Sequence, residues 1–477
     1  MTRRRAAPVA APLAGMLTAL AAGTPAAAHA FGQRYDLPLP LGFYLGGAGL
    51  AVALSFAGSF AFMAPARRAP RAVRLRLAPA VARTVRVVGT GVAVTLLGLV
   101  TATAVAGPEA ATANLATVLV WVFWWVGLVL AAALVVDLWT PFNPFAALAR
   151  GVLGPAGRRR ALLRLPPGAA WLSVPGLLAI AWLELVSDWS EDPRAMAVLI
   201  GLYGAGLVGG AAVFGRRRWF ALADPVTRLF LLMGRVAPLA LGRRTLCLRL
   251  PGAGLVGRPI DAAGAVFVVT LIGIVLFDGL SETPFWAGLL EWITQSQSLR
   301  PRLIALREAG VDLMKLIRTL GLLATVALAN LLYLGLAAAV WRAGRRGYGF
   351  ARAYAGFAPS LLPIAVAYHL AHYVSYLALA GQLLLPIASD PFGLGWDLLG
   401  WAGRPLDIGV ITAGDVWWIA VAALVAGHGC AVLVAHAEAL RLYPSPARAI
   451  LSQLPMMVFM VALTSFSLWI LSQPIVE

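Results

Sequence analysis

The chain has 477 residues, of which 61% are hydrophobic and only 12% charged, with a formal net charge of +18. That composition excludes a soluble globular protein, and recurring apolar runs of about 20 residues indicate an all-α, polytopic bundle. A membrane β-barrel would show short alternating strands instead. The positive charge does not imply a nucleic-acid partner, because the basic residues sit in short loops between apolar spans, as the positive-inside rule expects.

Residues 1–28 carry Arg3, Arg4 and Arg5, an apolar stretch and then AGTPAAAHA, the layout of a secretory signal peptide. Cleavage after Ala28 leaves His29 as the first mature residue; cleavage after Ala30 removes it; an uncleaved anchor is the alternative. Residues 29–477 then form a single transmembrane domain. About ten spans are expected, near 42–63, 87–106, 117–137, 168–187, 195–214, 262–281, 318–341, 361–385, 415–437 and 450–471.

The loops alternate in charge. Arginines fill the first (Arg67 to Arg83), third (Arg158 to Arg164), fifth (Arg216 to Arg258) and seventh (Arg342 to Arg352), whereas Asp188, Glu191, Asp192, Asp390, Asp397 and Asp407 occupy loops between them. The odd-numbered loops are therefore expected in the cytoplasm, with both mature ends outside a bacterial-type plasma membrane. The long basic loop 219–258 reads as an interfacial helix interrupted by Arg228 and Arg235. The loop 282–317, with FWAGLLEWITQSQSL, reads as an outer segment able to cap a cavity. Two cysteines, Cys247 and Cys430, fall in a loop and a span and do not suggest a disulfide.

Four of the five histidines, His369, His372, His428 and His436, lie in the eighth and ninth spans, within 361–437. Histidine is costly in hydrocarbon and is the commonest ligand of transition metals. An i, i+3 pair shares a helix side, as do residues about two turns apart. Counted from the outer ends of their spans, His372 and His428 come out level on antiparallel neighbours, and Gly427 and Gly429 would permit close approach there. Zinc or copper suits such a site, zinc with an open coordination position. For any one of these histidines a hydrogen bond to a neighbouring helix is the bland alternative. Asp278 and Glu184, near span ends, are candidates for a ligand, a supporting partner or a general base. Asp137 and Asn330 are further polar residues at membrane depth. No nucleotide-binding loop, paired CxxC, G-x-S-x-G or H-E-x-x-H pattern is present.

Several stretches together resemble a known family. HAFGQRYDLPLPLGFYL at 29–45, DLWTPFNPF at 137–145, ADPVTRLF at 223–230, LFDGLSETPFW at 276–286, AHYVSYLALAGQ at 371–382 and GHGCAVLVAHAEALRLYPSPARA at 427–449 are similar to the polytopic membrane proteins called fenitrothion hydrolases. The resemblance spans nearly the whole mature chain. It implies hydrolysis of organophosphate triesters, histidines at His29, His372, His428 and His436, and an acid at Asp278. The family pattern has an acid and then a base after the last histidine, where this chain has Ala437 and Glu438.

Two functional classes follow. One is an enzyme in which a metal on His372 and His428, with His436 or His369, activates water against a neutral lipophilic triester arriving through the bilayer. The other is transition-metal handling, with copper passed inward from His29, or a haem-binding subunit; either could involve a partner membrane subunit. Met456, Met457 and Met460 favour copper slightly, and the lack of a cysteine pair weighs against it.

Overall fold

The computed structural model describes residues 40–62, 72–154, 161–346, 349–443 and 445–473. His29, the segment 1–28, Arg67, Arg68, Arg71 and Arg158 to Arg160 lie outside the described residues. Among the described residues, ten helices are long and apolar enough to cross a membrane: α1 (Leu41–Phe60), α2 (Pro79–Ala106), α3 (Leu115–Leu134), α4 (Pro167–Leu185), α5 (Pro193–Phe214), α6 (Ala262–Ser281), α7 (Leu313–Ala343), α8 (Phe350–Ser389), α9 (Ala413–Leu442) and α10 (Pro446–Leu471). The molecule is an all-α membrane-spanning bundle.

Their starts follow capping chemistry. Asp192 accepts from the backbone N–H groups of Arg194 and Ala195 at α5. Asp261 does so for Gly264 at α6, and Asp312 for Lys315 at α7. Thr412 and Asp415 form a reciprocal capping box at α9, and Ser445 caps α10. Each satisfies donors that the first helical turn leaves unpaired. Capping starts α7 at Leu313 rather than near 318, and α2 starts at Pro79 rather than near 87, so that its Arg83 and Arg86 are exposed.

Two spans are irregular. α3 is wound as a π-helix over Val118–Leu128, a form usually confined to a single turn. α8 is made of Phe350–Phe357, a tight turn at Ala358–Leu361, the main segment Leu362–Ala380 and a last piece, Leu384–Ser389. Pro359, Pro363 and Pro386 lie in or beside these joints, where proline removes a donor and fixes φ.

α6 is the axis of the bundle, with 83% of its span window buried against 11% for α5. Gly273 lets it approach α7, since a Cβ there would lie 2.9 Å from the Val326 Cα. Gly427 does the same between α9 and α8, against the Pro363 carbonyl, whereas Gly429 faces open space.

The basic loop is not an interfacial helix. It forms Arg216–Leu222 and then Pro225–Met233, a helix buried along nearly all its length. Arg228 is buried, pairs with Asp261 and donates to the Ala170 carbonyl at 3.2 Å. It is an internal tie between elements. The loop continues as an antiparallel hairpin, β2 (Leu239–Leu241) and β3 (Thr245–Leu248), to which β1 (Val73–Arg76) adds in the order β1-β3-β2, with Val73 opposite Leu248. The segment after α6 forms the helices Pro284–Gln295 and Arg300–Glu308. Its Trp286 is buried edge-on against Phe277, centroids 5.4 Å apart.

Candidate metal centre

α6 is capped by Trp286, so its last turn lies inside the protein and Phe277, Asp278 and Gly279 are buried. Glu282 follows directly after the helix, four residues from Asp278, the spacing that puts two side chains on one helix face. α8 supplies Tyr368, His369, His372 and Tyr373 to the same region. His372 Nε2 lies 2.9 Å from Asp278 Oδ2, with side chains 6% and 3% exposed. The Tyr373 hydroxyl donates to the same carboxylate oxygen. One ligand atom from each of Asp278, Glu282 and His372 falls within 4.8 Å of the other two. Among the described residues this is the group of three or more potential ligands that converges.

Aromatic packing fixes the imidazole. Tyr373 stands edge-on to His372 at 4.6 Å and to His369 at 4.8 Å, and Tyr368 lies nearly parallel to His372 at 6.3 Å. Gly279 leaves room for the Tyr368 hydroxyl, which lies 2.7 Å from where a Cβ would stand. Glu184, from the end of α4, sits against Trp125 and Tyr373 and within electrostatic reach of Asp278 and His372. The π-wound part of α3 presents Trp125 here, and the Val126 carbonyl engages His369.

Three buried polar atoms around this group have no hydrogen-bond partner among the described residues: Glu184 Oε2, His369 Nε2 and the Tyr368 hydroxyl. Buried polar atoms are rarely left unsatisfied, so such a set implies a guest with lone pairs, protons or charge. Two carboxylates and an imidazole are a fitting donor set for zinc, and for manganese or iron(II), and a poor one for copper(I), which prefers sulfur.

The other histidines stand outside the converging group. His428 is fully buried, and its Nδ1–H donates to the Leu424 carbonyl of its own helix at 2.8 Å, leaving Nε2 without a partner among the described residues. His436 Nδ1 bonds Gln453 Oε1 at 3.2 Å, and its ring packs on Phe60. The carboxylate of Glu438 accepts from the Gly257 backbone N–H and is a tie to the basic loop. Asn330 Nδ2 donates to Thr270 Oγ1 and the Val326 carbonyl within the α6–α7 contact. Cys247 and Cys430 are free thiols, and Met456 and Met460 are core residues.

The assembled ligand set is therefore mixed carboxylate and imidazole; the sequence placed the metal chiefly on imidazoles, with Asp278 or Glu184 as an additional candidate ligand. Glu282 was passed over as a loop residue; its i, i+4 spacing from Asp278 was the available signal. Comparison with family models, with curated proteins and with solved structures found no match for this chain.

Proposed function

We propose that Asp278, Glu282 and His372 hold a divalent metal ion and that the chain hydrolyses neutral, lipophilic esters, aryl phosphotriesters among them. The observation that carries this reading is the convergence of three ligand atoms inside a membrane-spanning bundle. The resemblance to fenitrothion hydrolases supports the substrate class. A divalent ion held by these residues would supply Lewis acidity and make water at the site a better nucleophile near neutral pH.

The chain's own residues do the rest. Tyr373 and His372 orient Asp278. Glu184, with a carboxylate oxygen to spare, takes the proton of the attacking water. The water oxygen bonds to phosphorus, the phosphorus–aryloxide bond breaks, and the proton held on Glu184 goes to the departing aryloxide. The Tyr368 hydroxyl donates to the phosphoryl oxygen as charge builds there. A neutral triester partitions into the bilayer and reaches this depth sideways. The same reading puts the arginine-rich loops in the cytoplasm of a bacterial-type cell and both ends of the mature chain outside.

Metal analysis of detergent-purified protein tests it, together with aryloxide release from a neutral nitrophenyl phosphotriester. Wild type should carry metal and turn over; Asp278→Asn should do neither. Metal-free wild type, or turnover that survives Asp278→Asn, would overturn it.

A further inference from the structure

Near the opposite end of α6, at Arg258, lies a different kind of site. Asp261, at the start of the helix, is 17 residues from Asp278, about 25 Å along a helix axis. Beside that start, a cavity of about 560 Å³ opens between the first turns of α2, the segment after α3, the end of the helix Pro225–Met233 and the β2–β3 hairpin. Arg86, Arg235, Arg243, Arg249 and Arg258 line it, and Asp137 is the acid among the described lining residues.

None of the five guanidiniums pairs with a carboxylate among the described residues. Backbone carbonyls hold three of them. Arg86 Nη2 donates to Arg243 at 2.8 Å and Arg235 Nη1 to Arg258 at 3.1 Å. Arg249 donates from Nε to Ala237 at 2.9 Å and from Nη2 to Gly234 at 2.5 Å. These bonds fix the groups without neutralising them. A guanidinium has five N–H donors, so each group keeps donors that these bonds do not use. Asp137 gives little compensation: its Oδ1 already accepts from the Thr140 N–H at 2.9 Å, and burial pushes its carboxyl upward. Burial and then the neighbouring Arg258 depress both Arg235 and Arg249, the mark of like charges held together.

We propose that this cavity binds a phosphate-ester anion, either the headgroup phosphodiester of an anionic lipid or a soluble phosphate. Planar guanidinium forks match phosphate oxygens in pairs and bind them more strongly than neutral donors do. Basic pockets between spans at the bilayer edge are suited to headgroups. Leu77, Val85, Phe142, Leu231 and Leu239, on the same walls, fit the carbons beside a lipid phosphate and favour the lipid.

The full chain, purified in neutral detergent, is titrated with phosphatidylglycerol, phosphatidylcholine and inorganic phosphate. The midpoint of thermal unfolding and the lipid retained in native mass spectrometry are read. Phosphatidylglycerol should raise the midpoint and be retained, and phosphatidylcholine should do neither. The pair Arg86→Gln with Arg243→Gln should weaken the effect about tenfold, and the pair Arg86→Lys with Arg243→Lys should restore part of it. A rise with inorganic phosphate alone, with displacement of the lipid, identifies the soluble anion as the ligand. Equal responses to the two lipids with none to phosphate would overturn the proposal, as would an undiminished response in a folded Gln pair. The wild-type comparisons decide the matter even if the variants fail to fold.

Discussion

His372 and His428 sit on the tightly packed pair α8 and α9, and both are buried. Their surroundings differ in one respect. His372 meets carboxylates from another helix, Asp278 and, within ligand range, Glu282. His428 turns its Nδ1 to the carbonyl four residues back on its own helix. An imidazole becomes a candidate ligand through the partners that surround it, and neither residue type nor membrane depth supplies those partners.

The largest expected effect lies on the His372 side. Replacing Asp278 with Asn keeps the shape but removes the charge that faces His372. Bound metal should fall to background and phosphotriester turnover should drop by about a hundredfold or more, as read by metal analysis and aryloxide release. Glu184→Gln separates holding from chemistry. Metal content should stay at the wild-type level while kcat falls by about a hundredfold; loss of the metal with that substitution would make Glu184 a ligand instead.

His428→Ala carries the contrast to the other region. Removing this ring opens a small void, and the expected cost is about 1–2 kcal/mol in thermal or denaturant unfolding, with metal content unchanged. Metal loss in a folded His428→Ala protein would erase the distinction and restore the pair of histidines as a shared site. The smallest effect lies in the loop between α8 and α9. Asp397 accepts from Ser389 at 2.7 Å and from the Trp401 and Ala402 backbone, and Ser389, then these bonds, hold its carboxyl below the ordinary range. A depressed carboxyl stabilises the fold above its unfolded pKa and loses that effect as pH falls through the folded one. The protection of the Leu399, Trp401 and Ala402 amides against exchange, taken relative to unstructured amides at the same pH, should therefore hold at neutral pH and fall only below about pH 4. Asp397→Asn should lower that protection already at neutral pH.

The spans were legible because about 20 consecutive apolar residues leave a backbone few alternatives in lipid. The sheet was not: VRLR, LAL and TLCL are three or four residues each, and β1 pairs with a strand about 170 residues away, which no local pattern announces. Arg228 looked like the polar face of a surface helix because its partner, Asp261, lies 33 residues on. At the site, Asp278, Glu184 and His372 stood out as polar residues in apolar runs. Glu282 did not, since an acid just past a span end is ordinary. The self-directed bond of His428 depends on a side-chain rotamer, which spacing does not encode.

The caps have a consequence for how the molecule sits in its membrane. α5, α7 and α9 begin at Asp192, Asp312 and Thr412 with Asp415 and run toward Arg216, Arg342 and Arg441. Their charges thus oppose the ends of their own macrodipoles favourably. The returning helices start near arginines, at Arg83, Arg164, Arg258, Arg352 and Arg448, a charge placed against the macrodipole, which the acidic cap Asp261 offsets at α6. All of these interactions are internal, and they are unchanged when the whole bundle is turned upside down. Handedness and packing therefore carry no information about which face meets the cytoplasm. Orientation is left to the arginine loops and the bilayer, so trimming those loops would yield a mixed population of upright and inverted molecules with one and the same fold.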